Sequence, residues 1–237
     1  MEAIILAGGK GERLQGVVKD VPKPMAPIHG QPFLKYILDY FIKQGVSHFV
    51  LSVGYKYEVI QNYFKDEYRK IPISYSIEES PLGTGGALAF AERSLKTEEA
   101  FMAMNGDTWF EIDLKAMHAE HQTRGSAISI ALTLVQDQGR FAEVQINSDK
   151  NITKFCYPAV SHGNGLINGG IYLMNRHVLK KYVDSMQLIS LESQVFPRML
   201  EAQTAIWGYE SEARFIDMGL PQTYAELNTI FEGMVNT

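Results

Sequence analysis

A chain of 237 residues, 46% of them hydrophobic, carries enough apolar material for a full core, in one large domain or a domain with a lobe. Its 22 basic and 27 acidic residues give a formal net charge of -5, so no chain-wide field draws it to nucleic acid or a membrane surface, and an anionic ligand must be met by local cations. The single cysteine, Cys156, excludes an internal disulfide and a cysteine-rich zinc site, which suits a reducing, cytoplasmic setting.

The first predicted element is the strand AIILAG, broken by Gly8 and Gly9 and preceded by Glu2, a pattern that is not a signal peptide. After it the chain alternates. Helix PFLKYILDYFIKQG, with Phe33, Ile37, Tyr40 and Phe41 on one side, precedes strand HFVLSVG; helix YEVIQNYFKDEYRK precedes strand ISYSIE. Helix GTGGALAFAERSLK leads to strand AFMAMNGD, and helix DLKAMHAEHQTRG to strand AISIALTLV, whose apolar run is far short of the ~18–20 residues of a membrane span. Shorter strands follow in FAEVQIN, ITKFCYP and LINGGIYLM, then helices near Arg176 to Val183 and Glu192 to Leu200, strands AIWGYE and FIDMG, and a closing helix from Pro221. Such alternation predicts βαβ units, that is, an α/β fold with a Rossmann-like, mainly parallel sheet between two helical layers. With no repeat or low-complexity linker, 1–237 is expected to be one domain, with 1–135 forming one half and 136–237 extending it.

The glycines of MEAIILAGGKGERL fit neither familiar phosphate signature. There is no G-x-x-x-x-G-K-[ST], and Leu14 stands where a dinucleotide fingerprint needs its third glycine. What is left is a strand end, Leu6 and Ala7, running into Gly8, Gly9 and Gly11, which expose backbone N–H groups, and then Arg13, whose planar fork suits phosphate. A tight turn with a surface arginine would look the same. Ten positions on, in VPKPMAPIHG, Lys23 stands between two prolines that fix its backbone and so aim its ammonium group.

The pattern L-A-G-G-x-G-x-R-L followed by P-K-P-M-x-P-I resembles the sugar-phosphate nucleotidyltransferases, and further matches run in the same order along nearly the whole chain. The resemblance implies a glycosyltransferase-A-like variant of the Rossmann sheet, a nucleoside triphosphate wrapped by the glycine loop, and Arg13 and Lys23 facing the reacting phosphates. PLGTGGAL, with Pro81, Gly83 and Thr84, is similar to the segment beneath base and ribose; its glycines at a strand-to-helix junction also permit close approach of a flat ligand, although Thr84 as a helix cap would suffice. MNGDTWF places Gly106 and Asp107 at one strand end, and FIDMG places Asp217 at another. A lone strand-end aspartate is ordinarily a turn residue. The two together stand where the family holds Mg²⁺, a cation that takes one or two carboxylates beside phosphate oxygens.

On the sugar side, the resemblance implies roles for Ala142, Asn168 and Gly169, and for Glu192 in SLESQVFPRML; taken alone, Asn168 reads as an Asx turn and Glu192 as a first-turn acid. The family commonly has Glu-Lys just before a proline where this chain has Cys156 and Tyr157, so the cation for the sugar phosphate is missing there, and Lys154 is the nearest substitute, with Arg140 in reserve. Glu12 likewise stands where Thr is common. Glu78, at the end of ISYSIE, replaces a Gln found in thymidylyl- and uridylyl-transferring relatives; a carboxylate only accepts, and guanine offers two adjacent donors, N1–H and the 2-amino group, which favours GTP. KDVPKPMAPI, EVIQNYFKDE and LINGGIYL resemble in particular the short bacterial guanylyltransferases acting on D-glycero-α-D-manno-heptose 1-phosphate.

The expected reaction is therefore attack of a sugar 1-phosphate oxygen on the α-phosphorus of a nucleoside triphosphate, with loss of pyrophosphate, in the service of surface polysaccharide synthesis. Mannose 1-phosphate guanylyltransferases, uridylyl- or thymidylyl-transferring relatives and a nucleotide-sugar-binding regulatory protein are the alternatives. The partners are the two substrates, with a homo-oligomer left open. His118 and His121 read as a solvated helix face rather than zinc ligands, Cys156 as a packing residue, and Tyr55, Tyr57, Tyr63, Phe64 and Tyr68 as cover for the sheet.

Overall fold

In β1 (Glu2–Leu6) successive side chains leave on opposite faces. Ala3 and Ile5 enter one apolar cluster with Phe33, Ile37 and Phe41, whereas Ile4 enters a second with Leu88 and Tyr172. A strand covered on both faces needs apolar residues at every position, and the run AIIL is the result. The computed structural model describes residues 1–9, 11, 20–136, 141, 143–156, 163–184 and 186–232.

After β1 come a 3-10 turn at Lys23–Met25, the short pair β2 (Pro27–Ile28) and β3 (Gln31–Pro32), and α1 (Phe33–Lys43). Then follow β4 (His48–Val53), α2 (Tyr57–Phe64), β5 (Glu67–Tyr68), β6 (Ile71–Ile77), α3 (Gly83–Ala91), β7 (Phe101–Asn105), β8 (Thr108–Phe110) and α4 (Leu114–Arg124). The rest of the chain supplies β9 (Ile128–Val135), β10 (Glu143–Ile146), β11 (Ile152–Cys156), β12 (Gly165–Met174), a 3-10 turn at Val178–Lys181, a π-type turn at Leu191–Val195 leading into α5 (Phe196–Glu201), β13 (Ile206–Glu210), β14 (Phe215–Asp217) and α6 (Pro221–Phe231).

The large sheet runs in the order β11-β10-β12-β7-β1-β4-β6-β5, with β9 also paired to β12 and β13 to β9. Its centre, β7-β1-β4-β6, is parallel. The later strand β12 joins antiparallel to β7, so both halves of the chain share one sheet. The cluster containing Ile5 packs under α1, α2 and α6, and the cluster containing Ile4 under α3 and α5. This is the α/β, three-layer arrangement expected from the alternating pattern.

Two predicted helices are shorter than their sequence pattern. The stretch YEVIQNYFKDEYRK is helical only to Phe64, because Lys65 turns to φ 56° and Glu67–Tyr68 return as a strand on β6. Tyr68 then lies edge-on to Phe64, with ring centres 5.3 Å apart. Near Arg176 to Val183 only a 3-10 turn forms: His177 is left-handed at φ 64°, and Glu92 holds the approach by accepting the His177 N–H while its carbonyl accepts from Arg176.

Two further readings change. His121 is not on a solvated face; it is buried between Ser129 Oγ at 2.7 Å and Asn175 Oδ1 at 3.0 Å, and burial pulls its pKa below the ordinary value. Of the aromatic set, Phe64 is buried in the core, but Tyr55 and Tyr63 are exposed. Cys156 is buried and free, as a packing residue should be. No helix among the described residues is long and apolar enough to cross a membrane.

Candidate active site

Where β1, β4, β6 and β7 end, a cavity of about 560 Å³ opens. β4 lies on one side of β1 and β7 on the other, so the strand order reverses here, and backbone leaving each strand turns away from its neighbour to leave a crevice. Its wall is supplied by Leu6, Ala7, Gly8, Gly9 and Gly11 after β1, Gly54 and Tyr55 after β4, Glu78, Glu79, Ser80 and Pro81 after β6, Gly83 and Thr84 in α3, and Asn105 and Asp107 after β7, with Lys23 and Pro24 closing one side.

The loop after β1 is pressed against its neighbours. A β-carbon on Gly8 would sit 2.9 Å from Glu78 Oε1, and one on Gly11, which has φ 62°, would sit 2.8 Å from the Lys23 β-carbon. Gly11 thus makes room for the lysine stem, and the 3-10 turn with its flanking prolines fixes the backbone, so the ammonium is delivered to one place. That place is the Asp107 carboxylate, with which Lys23 forms an ion pair. Arg13, the other expected cation, lies outside the described residues, as do Glu12, Arg140, Ala142 and Tyr157.

Asp107 and Asp217 are brought together by backbone pairing. Asp217 is the β14 partner of Thr108 in β8, and Met218 N–H donates to the Asp107 carbonyl at 2.9 Å. The Asp217 carboxylate folds over Gly219, whose absent β-carbon would lie 2.6 Å from it, and Gly106 N–H donates to the Leu6 carbonyl at 2.8 Å, tying the Asp107 turn to the end of β1. Two hard oxygen donors on adjoining strand ends fit Mg²⁺, which completes its shell with phosphate and water oxygens. No cluster of three or more His, Cys, Asp or Glu forms a metal cage among the described residues.

Glu78 stands at the other end of the cavity. Its Oε1 accepts from Ser52 Oγ at 3.2 Å and its Oε2 from Leu82 N–H at 3.0 Å, so each oxygen keeps a lone pair for a ligand. Burial raises its carboxyl pKa, while those two donors pull the other way and leave the net shift upward.

The glycines of PLGTGGAL admit another part of the chain. A β-carbon would meet Ile189 O at 2.6 Å from Gly83 and Gln187 O at 2.1 Å from Gly86. Ile189 N–H donates to Leu82 O at 2.9 Å, and Ile189 O accepts from Gly85 N–H at 2.9 Å. A strap of residues 187–189 therefore lies on the start of α3 and takes the amides that a bare helix terminus would offer a ligand. Thr84 is not the cap; its hydroxyl accepts from Leu191 N–H and donates to Glu192 at 2.7 Å.

Asn168 lies beside this wall. Its Oδ1 accepts from Gly170 N–H at 2.9 Å, an Asx turn that bulges β12, and Gly170 at φ 70° packs against the Asn105 amide. Gly169 leaves space for the Phe110 ring, 2.5 Å from where a β-carbon would be. Lys154 is exposed on β11 and is not among the cavity-lining residues.

Asn105 and Ser52 carry no motif in the sequence, and Tyr55, expected as cover for the sheet, lines the cavity instead. Tyr55 follows Gly54 at the end of β4 as Gly9 follows Gly8 after β1, and that repeated strand-to-glycine junction was the available signal.

The nucleotidyl transferase family model matches residues 2–232. A D-glycero-alpha-D-manno-heptose 1-phosphate guanylyltransferase from Aneurinibacillus thermoaerophilus is 42% identical over 224 residues, covering 94% of this chain and 95% of its own. One of the same name from Campylobacter jejuni is 41% identical over 226 residues, covering 94% and 97%. The crystal structure of HddC from Yersinia pseudotuberculosis complexed with GMP-PN superimposes with a TM-score of 0.84 at 32% identity, covering 97% of this chain and 99% of that one.

Proposed function

The chain belongs to the nucleotidyl transferase family, and from that premise we propose that it is a cytoplasmic guanylyltransferase joining GTP to D-glycero-α-D-manno-heptose 1-phosphate, with release of pyrophosphate and formation of GDP-heptose for a surface polysaccharide. The observation that carries the nucleotide choice is Glu78: a half-buried carboxylate with an unused lone pair on each oxygen matches the N1–H and 2-amino donors of guanine. Uracil and thymine present acceptor, donor, acceptor, and would set two acceptors against it. The sugar rests on the 42% and 41% identical relatives, matched over nearly their whole length.

The chemistry asks little of a base. One oxygen of the sugar 1-phosphate, already an anion, forms a bond to the α-phosphorus in line with the bond that breaks, and that electron pair leaves with pyrophosphate. The protein's work is to align two polyanions and offset the charge moving to the leaving group. Backbone N–H groups of Gly8, Gly9 and Gly11 would receive the triphosphate, with Lys23 and Arg13 as its cations. Pro81, Gly83 and Thr84 would flank base and ribose. Asp107 and Asp217 would hold Mg²⁺, which neutralises phosphate charge when bound. Asn168, Gly169, Ala142 and Glu192 would face the sugar, and Lys154 its phosphate.

The experiment is pyrophosphate release from four nucleoside triphosphates against heptose, mannose and glucose 1-phosphates. GTP with the heptose should dominate. Preference for mannose would reassign the sugar, and preference for UTP or dTTP the base. Tight nucleotide binding without release from any pair would favour a regulatory protein, a reading prompted by Cys156 and Tyr157 in place of Glu-Lys.

A further inference from the structure

Tyr172 is fully buried in the middle of β12, with its ring against Phe196 at 5.6 Å between centres, and so does not itself reach a substrate. Its hydroxyl accepts from Asn168 Nδ2 at 2.9 Å and donates to Glu192 Oε1 at 3.2 Å. The other Glu192 oxygen accepts from Thr84 Oγ1 at 2.7 Å and from Ser190 Oγ at 3.2 Å. Thr84 lines the cavity, and its hydroxyl also takes the N–H of Leu191. A continuous chain of hydrogen bonds, Asn168 to Tyr172 to Glu192 to Thr84, therefore joins the β12 bulge to the nucleotide wall.

The direction of each bond is fixed. A phenol has one proton, and the Asn168 amide, its Oδ1 engaged by Gly170 N–H, turns its N–H donor to the phenol oxygen, so the Tyr172 proton faces Glu192. Burial, with Glu192 nearby, raises the phenol pKa well above its ordinary value and keeps that proton in place. Any ligand that draws on the Asn168 amide or the Glu192 carboxylate changes what Tyr172 must satisfy, and a buried hydroxyl cannot turn to water for compensation.

We propose that Tyr172 is a positioning residue whose hydroxyl couples the sugar-phosphate side of the site to its nucleotide side, so that occupation of one raises affinity for the other. This rests on the assignment of Asn168 and Glu192 to the sugar side. Coupling of this kind is reciprocal: whatever factor the sugar phosphate adds to nucleotide affinity, the nucleotide adds to that of the sugar phosphate.

The test is calorimetric binding of an α,β-methylene analogue of GTP, which cannot release pyrophosphate, to the full chain with and without saturating heptose 1-phosphate. In the native protein the sugar phosphate should tighten analogue binding by about fivefold or more, the usual lower range of such coupling. Tyr172→Phe keeps the ring and removes the hydroxyl; its coupling should fall by the share that Asn168 carries, with only the direct Glu192–Thr84 bond left, and in turnover the Michaelis constant for the sugar phosphate should rise more than kcat falls. Thr84→Val cuts the same chain where it meets the nucleotide wall, and the double variant should lose no more coupling than Thr84→Val alone. That non-additivity is not expected of residues that merely support the fold, and Thr84→Val keeps the test available if Tyr172→Phe proves unstable. Undiminished coupling in both variants, additive losses, or a native protein without coupling would overturn the proposal. Failure of the proposed function is separate: it would appear as absence of pyrophosphate release from the native protein with GTP and heptose 1-phosphate.

Discussion

Lys23 and Asp107, 84 positions apart, form an ion pair on the wall of the cavity, so one carboxylate serves as counter-ion to the lysine and as half of the carboxylate pair. A divalent cation held by Asp107 would therefore contend with the lysine for the same carboxylate. Lys23→Met should cut turnover by roughly 10²–10³, the size of effect seen when one preorganised charge-stabilising group is removed. In the nucleotide-free protein the same change should tighten Mn²⁺ binding, read by the loss of the free-ion resonance signal. Weaker or unchanged Mn²⁺ affinity would show that the ion pair does not compete with metal.

Asp107→Asn and Asp217→Asn preserve shape and remove charge. Each should lower turnover by about 10³ or more if several kcal/mol of charge stabilisation depends on the metal. The Asp217→Asn melting temperature should stay close to the native value, since the pairing of β8 with β14 is made by backbone, while Asp107→Asn also loses its ion pair with Lys23 and should melt lower. Near-normal rates for both variants at limiting magnesium would remove the pair from the mechanism.

The upward shift of Glu78 gives selectivity a pH dependence. Only the ionised carboxylate accepts both guanine donors, so preference for GTP over UTP should decline as the pH falls through the raised pKa, beginning at a higher pH than an ordinary glutamate at 4.5 would give. Glu78→Gln should abolish that pH dependence and weaken discrimination by about 1–3 kcal/mol. Ratios of kcat/KM for the two nucleotides across the acid range decide it.

Lys154→Met should raise the Michaelis constant for the sugar 1-phosphate well above any change in that for GTP, because a charge-assisted contact would be lost from one substrate only. Its exposed place on β11 makes the comparison sharp. A solvated lysine would leave both constants where they were, and that result would send the search to Arg140.

A fifth expectation concerns the opposite end of the sheet. Glu2 is buried; burial opposes its ionisation, but the Thr97 N–H, the His48 ring, the Thr97 hydroxyl and the Lys96 N–H outweigh it and hold its pKa below 4.5. A carboxylate whose folded pKa is depressed contributes stability above its unfolded pKa and loses it as the pH falls through the folded one. Glu2→Gln should therefore cost about 1–3 kcal/mol near neutral pH. The gap between variant and native denaturation midpoints should close in acid.

The central strands were legible because burial on two faces leaves no alternation to misread, and AIIL and FVLSV carry it in plain form. The alternating helices gave the layers, and Lys23 could be singled out because two prolines announce a fixed backbone. Tyr172 carries no signal of its role and Tyr55 reads as sheet cover for one reason: an aromatic residue in or beside an apolar run looks like core until its hydroxyl or its exposure is seen. The glycines of PLGTGGAL show a different limit. They read as room for a flat ligand, and in the structure Gly83 and Gly86 also admit Ile189 and Gln187, neighbours that no local pattern specifies. His121 was misjudged because a helix of low amphipathicity hides which histidine turns inward.

The strap over α3 also bears on how the polypeptide reaches this state. Glycine is a poor helix former, and α3 begins GTGG, so its first turn gains little until Ile189 arrives to pair with Leu82 and Gly85. During synthesis at ~5–20 residues per second that arrival lags by roughly 5–20 seconds, while β1, β4, β6 and β7 have already left the ribosome. The start of α3 thus waits longer for its chain partner than β1, β4, β6 and β7 wait for one another.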